Sequence, residues 1–271
     1  MSLTVRTVAH RTPVRVELQL LGGFALCCRE EPVPVAPAGQ RLLAYLAVHR
    51  RAVPRAAVGT TLWPEGTDAQ AAANLRSTLR RLPRPDDVSL VTAGPTHLQL
   101  PPWVGVDLWE AQQLARPCPP DADSAGPPAL EDDDRLRLLQ EDLLPDWDPD
   151  WVSSEREHHR QRRLHALERV CRRHREAGEF ERAVAAGLAA VGGEPLRESA
   201  HRALIEVHLA EGNHAEALRQ YQTYRRRLRT ELGLSPSPAI RALVGPLLGR
   251  PADAAPGRRR ATSGAGREPG R

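Results

Sequence analysis

Apolar and polar residues alternate from Val14 to Leu20, a period of two that predicts a half-buried strand. Gly22 and Gly23 turn the chain. Phe24, Leu26 and Cys28 continue the alternation into a second strand, and a short third is expected around Val33 and Val35. The period then lengthens. Between Gly39 and His49, Leu42, Leu43 and Leu46 share one face of a helix. A second helix of roughly ten residues is expected to take Pro54 as its first residue and to stop at Trp63, which precedes Pro64. A third is expected from Asp68 to Leu82, burying a stripe of Ala72, Leu75, Leu79 and Leu82. Thr67 and Gln70 have the spacing of a capping box at its start, so Gln70 reads as a cap, and Pro83 stops it. Val88–Thr92 and Thr96–Leu100 read as two strands joined at Ala93, Gly94 and Pro95.

Three helices followed by a hairpin are the element order of a winged helix-turn-helix, and that order points to duplex DNA. Opposite its expected core stripe, the third helix carries Asn74, Ser77 and Arg81, flanked by Arg76 and Arg80. Asparagine amides and arginine forks pair bidentately with adenine and guanine edges in the major groove, and hydroxyls reach phosphates or bases. Asn74 and Arg81 are therefore expected to read bases, with Arg76 or Arg80 as alternative phosphate clamps. On the wing, Thr96 and His97 are the donors nearest the tip.

The second half has helical periodicity and repeats itself. Gly178 and Gly212 lie 34 positions apart, as do Ala183 and Ala217, Val184 and Leu218, Val170 and Leu204, and His174 and His208. That is the length of a tetratricopeptide unit, a helix pair that buries its apolar face against the next pair. Ser154 and Glu157 read as the cap of a long first helix, followed by helices near 179–191, 196–211 and 213–232, with Gly233, Pro236 and Pro238 closing the last. Between the halves, residues 117–130 are rich in Pro, Ser, Gly and Asp and read as a linker. Residues 249–271, with Arg258, Arg259 and Arg260 among small residues, read as a disordered basic tail. The expected organisation is a DNA-binding domain at 14–106, a helical domain at 107–248 and the tail. The fold class is mainly α with a small β component.

Composition narrows the function. All 38 basic residues are Arg, so a phosphate-loop lysine, a Schiff base and a lysine general base are all excluded. Cys27, Cys28, Cys118 and Cys171 show no zinc spacing and no disulfide framework. His158, His159 and His165 lack a ligand-like i, i+4 partner, and the Glu131–Asp134 run reads as the acidic start of a helix, so no metal or cofactor is expected. No GxSxG or HExxH motif supports an enzyme. The net charge of +4 is unevenly spread, with 2 Arg against 11 acids in residues 117–153 and basic stretches on either side. Neither a signal peptide nor a membrane span is read, which favours a cytoplasmic protein.

The segments LQLLGGFALCCREEPV, QRLLAYLAVHRRAVPR, TTLWPEG and AANLRSTLRRL resemble the OmpR-like winged helix at the front of the Streptomyces antibiotic regulatory protein family. DPDWVSSEREHHRQRRLHALERV and EPLRESAHRALIEVHLAEGNHAEALRQYQTYRRRLRTELGLSPSP resemble that family's bacterial transcriptional activator domain, which is similar to tetratricopeptide repeats. The resemblance implies a transcription activator that binds promoter direct repeats as a homodimer on DNA and recruits RNA polymerase, in a setting such as a secondary-metabolite gene cluster. It also implies that the loop between the second and third helices, Trp63, Pro64, Glu65 and Gly66, faces polymerase, with Glu65 as the contact and Trp63 as a core anchor. Pro83 and the wing's Pro95-Thr96-His97 depart from the family pattern. The alternative is a protein-interaction adaptor whose winged helix no longer binds DNA. Regulation by nucleotide is not expected within the chain, because the ATPase and sensor domains of larger family members are not read in it.

Overall fold

The computed structural model describes residues 15–116 and 133–248. The linker expected at 117–130, Cys118, Glu131, Asp132 and the tail from 249 lie outside the described residues. The chain divides into two compact units, the first ending at Val170 and the second starting at Cys171.

In the first unit, β1 (Val16–Gln19), β2 (Ala25–Cys28), β3 (Glu31–Pro32) and β7 (Val104–Val106) form a sheet in the order β3-β2-β1-β7. β1 is antiparallel to β2 and parallel to β7. Val16 and Leu18 point into the core while Glu17 and Gln19 point out, as the alternation requires. Gly22 and Gly23, at φ 76° and 152°, make the turn between β1 and β2. The third strand falls earlier than expected, at Glu31–Pro32, because Arg29 and Glu30 turn the chain immediately after Cys28.

Helix α1 (Pro37–His49) buries Leu42, Leu43 and Leu46. A two-residue strand not foreseen in the sequence, β4 (Val53–Pro54), precedes α2 (Arg55–Leu62), so Pro54 lies in the strand just before the helix rather than at its first position. Helix α3 (Asp68–Arg81) follows, and β5 (Thr92–Ala93) and β6 (His97–Gln99) complete a second sheet in the order β4-β6-β5. This sheet is the wing.

The same unit continues through α4 (Asp107–Leu114), α5 (Asp133–Leu138) and the first part of α6 (Asp150–Glu176). Leu108, Ala111, Leu143, Leu144 and Val152 share one core with Leu18, Leu42, Leu46, Leu75 and Leu98. Hydrogen bonds fasten these parts. The Asp107 carboxylate accepts the N–H groups of Leu20, Leu21 and Leu108 at 2.6–3.0 Å, and Leu144 donates its N–H to the Leu20 carbonyl at 2.9 Å. Aromatic rings join in: Phe24 stacks on Trp147, and Trp151 meets both Tyr45 and Trp147 edge-on. Helix α6 begins at Asp150, so Ser154 and Glu157 lie inside it instead of capping it.

In the second unit the 34-residue echo is a geometric repeat. Gly178 and Gly212 turn the chain at φ 76° and 81°, between α6 and α7 (Phe180–Gly193) and between α8 (Glu198–Ala210) and α9 (His214–Leu232). Each turn closes with the same hydrogen bonds, Glu179 N–H to His174 O and Asn213 N–H to His208 O, and the buried Ala183 and Ala217 sit at matched positions. A further helix, α10 (Pro238–Leu248), starts at the proline expected to mark only an end, because proline suits a helix's first turn. Its Ile240 and Val244 pack with Ile205, Tyr221, Tyr224 and Leu228.

Candidate nucleic-acid interface

The capping box at the head of α3 is formed in full. Gln70 donates its N–H to Thr67 Oγ1 at 3.3 Å, and Thr67 donates its N–H to Gln70 Oε1 at 3.0 Å. Gln70 is thereby committed to the cap. Helices α2 and α3 pack together at Gly59 and Ala71, where a Cβ added to Gly59 would meet the Ala71 methyl at 3.5 Å, ordinary van der Waals contact. Arg41 holds the end of α2 by donating to the Leu62 carbonyl at 2.6 Å, and Trp63 packs against the core beside it. Glu65 projects from the following turn and is exposed.

The buried stripe of α3 is rotated from the expected one. Ala71, Leu75 and Thr78 are buried, whereas Ala72, Leu79 and Leu82 are half-buried at its margin. The reason is the packing against α2, which places Ala71 against Gly59. Asn74, Ser77 and Arg81 therefore do not lie opposite the core. They line one flank, a cleft of about 240 Å³ shared with Ala36, Ala38 and Gly39 at the start of α1. Arg76 lies on the other flank, in a cleft of about 520 Å³ with Arg55, Thr60 and Pro95. Between the flanks, the outward crown is Ala69, Ala73 and Arg80, all exposed.

Among the described residues, no carboxylate pairs with Arg76, Arg80 or Arg81. Their guanidinium groups are available to an outside anion. The wing stands beside this helix through Arg55, which donates its N–H to the Thr96 carbonyl at 2.8 Å and its Nε–H to the Gly94 carbonyl at 3.0 Å. The Thr96 hydroxyl and His97 Nδ1 lie 2.9 Å apart at the wing tip. The sequence missed Arg55, Ala69 and Ala73. Phasing α3 on Ala71, Leu75 and Thr78 would have found the two alanines, but nothing local marks Arg55 as the residue holding the wing.

The described residues contain no group of three or more His, Cys, Asp or Glu able to hold a metal ion, and no described helix is long and apolar enough to cross a membrane. His159 is buried, with Nε2 3.3 Å from the Glu141 carbonyl.

Sequence comparison matches residues 106–248 to the family described as bacterial transcriptional activator domain. No curated protein matches the chain. Among solved structures the chain is similar to Mycobacterium tuberculosis EmbR in complex with a low affinity phosphopeptide, at 23% identity and a TM-score of 0.63, over 89% of this chain and 67% of that one. That likeness establishes the fold, a winged helix followed by a helical activator domain. The architecture is that of a transcriptional regulator and not of an enzyme family, and the chain belongs to the bacterial transcriptional activator domain family.

Proposed function

We propose that this protein is a sequence-specific DNA-binding activator that lays α3 in the major groove of a promoter direct repeat and recruits RNA polymerase from the bound site. The observation that carries the reading is the exposed face of α3. Two methyl groups, Ala69 and Ala73, leave room for close approach, and Arg80 stands between them and the helix end without an internal partner. Alanine methyls suit thymine methyls, and an arginine fork suits guanine O6 and N7.

The rotated phase redistributes the roles expected from sequence. Arg80 becomes the base reader. Asn74, Ser77 and Arg81 face the phosphates of one strand beside the start of α1, and Arg76 faces the other strand with Arg55 and Thr60. Thr96 and His97 reach the adjoining backbone from the wing. Promoter direct repeats call for two copies of the chain on DNA, so a homodimer on the operator belongs to this reading, as does a cytoplasmic location. Glu65, exposed at the α2–α3 turn and outside the DNA-facing set, is the proposed polymerase contact. Fluorescence anisotropy on the chain's own upstream DNA against random duplex, across a salt series, tests the reading, since an adaptor without DNA function shows no sequence preference.

A further inference from the structure

Four arginines in the first unit converge away from the α3 face. Arg50 ends α1, Arg51 follows it, Arg116 lies just past α4 and Arg162 stands midway along α6. Arg50, Arg116 and Arg162 line one cleft of about 330 Å³ together with Gln112 and Gln113. Arg50 and Arg51 line an adjoining cleft of about 360 Å³ with Gln99 and Trp109. No carboxylate lines either cleft. Arg50 is held with its guanidinium 5.1 Å from the centre of the Trp109 ring, which fixes the group shared by both clefts.

The other described arginines of this part of α6 are satisfied. Arg156 donates to the Leu143, Leu144 and Trp147 carbonyls at 2.5–2.9 Å. Arg160 binds Glu157 at 2.8 Å, Arg163 binds Asp142, and Arg169 donates to the Ala115 carbonyl at 2.6 Å. That last bond fixes the end of α4 next to Arg116. Arg162 has no carboxylate or carbonyl partner among the described residues, and neither do the side chains of Arg50, Arg51 and Arg116 beyond the Trp109 ring. Their positions at helix C-termini, where the helix dipole favours a cation, account for Arg50 and Arg116. The dipole does not account for Arg162 in the middle of a helix, or for gathering like charges that repel one another.

We infer that the paired clefts between the end of α1, the end of α4 and the middle of α6 bind an oligophosphate group of a small molecule. Guanidinium forks match phosphate oxygens bidentately, the two glutamine amides add neutral donors, and the second cleft extends the site for a further phosphate. The location argues against the DNA backbone as the occupant. The β4–β6 register pairs Pro54 with His97 and Val53 with Leu98, so Arg51 and Arg50 lie toward the Gln99 end of the wing strands, away from the Gly94–Thr96 tip.

The test is calorimetric titration of the full chain with pyrophosphate and tripolyphosphate, in a phosphate-free buffer at fixed ionic strength. Saturable binding is expected, weakened at least about tenfold in the Arg116→Ala/Arg162→Ala double variant and unchanged in Arg80→Ala. The double variant should keep the wild-type circular dichroism and melting temperature, because both side chains are exposed, and its affinity for random duplex DNA should be unchanged. Absence of saturable binding, or equal binding of sulfate at the same ionic strength, overturns the inference. So does a double variant that keeps pyrophosphate binding but loses affinity for random DNA, which would make the clefts a backbone contact.

Discussion

The Trp109 indole donates its N–H to the Ala47 carbonyl at 2.7 Å, tying α4, within the family-matched segment, to the core helix α1 of the winged helix. With Leu108, Ala111, Leu143, Leu144 and Val152 in the same core as α1, the start of the activator domain is part of the body that holds α3.

Loss of this bond is expected to be felt in stability and not in DNA preference. Trp109→Phe keeps most of the ring but leaves the Ala47 carbonyl unpaired, at a cost of about 1–2 kcal/mol in denaturant unfolding. Truncation after Arg116 removes Leu143, Leu144 and Val152 from the core, and the fragment should melt well below the full chain.

Thr67→Ala breaks the capping box at the head of α3 and should cost about 1 kcal/mol by urea unfolding. Affinity for operator and random DNA should fall together, because the helix loosens as a whole.

Two buried groups set opposing pH slopes. Burial pushes the Asp107 carboxyl from its ordinary 3.8 up to about 6, outweighing the backbone donors it accepts from. The folded state then binds more protons than the unfolded between about 4 and 6, and stability falls as pH rises through that window. Burial pushes His159 from 6.5 down to about 4, so the unfolded state binds more protons and stability rises with pH through about 4 to 6.5. Each contribution is on the order of 3 kcal/mol, and in the wild type they largely offset. Unfolding measured at pH 4 and 6.5 should show His159→Gln losing stability as pH rises relative to wild type, and Asp107→Asn gaining it. Parallel curves for both variants would show that neither group titrates in this range.

Glu65→Arg should leave operator affinity within about twofold, a difference under roughly 0.5 kcal/mol, yet lower transcription in a purified polymerase assay. Unchanged transcription would move the activating surface to the helical domain.

The sequence announced those elements whose signal is local. Strand alternation at Val16–Gln19, the Thr67–Gln70 box and the Gly178/Gly212 echo each depend on a few neighbouring residues, and all appear in the fold. It misjudged what depends on distant packing. The phase of α3 follows its packing against α2 through Ala71, β4 exists because β6 pairs with it, and α10 gains its place from Ile205 and Tyr224. The arginines of α3 were legible as types, whereas their division between crown and flanks required that packing.

The most direct test of the central claim is the affinity of Arg80→Ala for the operator and for random duplex, compared with Arg81→Ala at matched salt. If α3 reads bases through its crown, Arg80→Ala loses about 1–3 kcal/mol on the operator with little change on random DNA, while Arg81→Ala weakens both equally and lowers the salt slope by about one. Equal loss on operator and random duplex for Arg80→Ala would contradict the account.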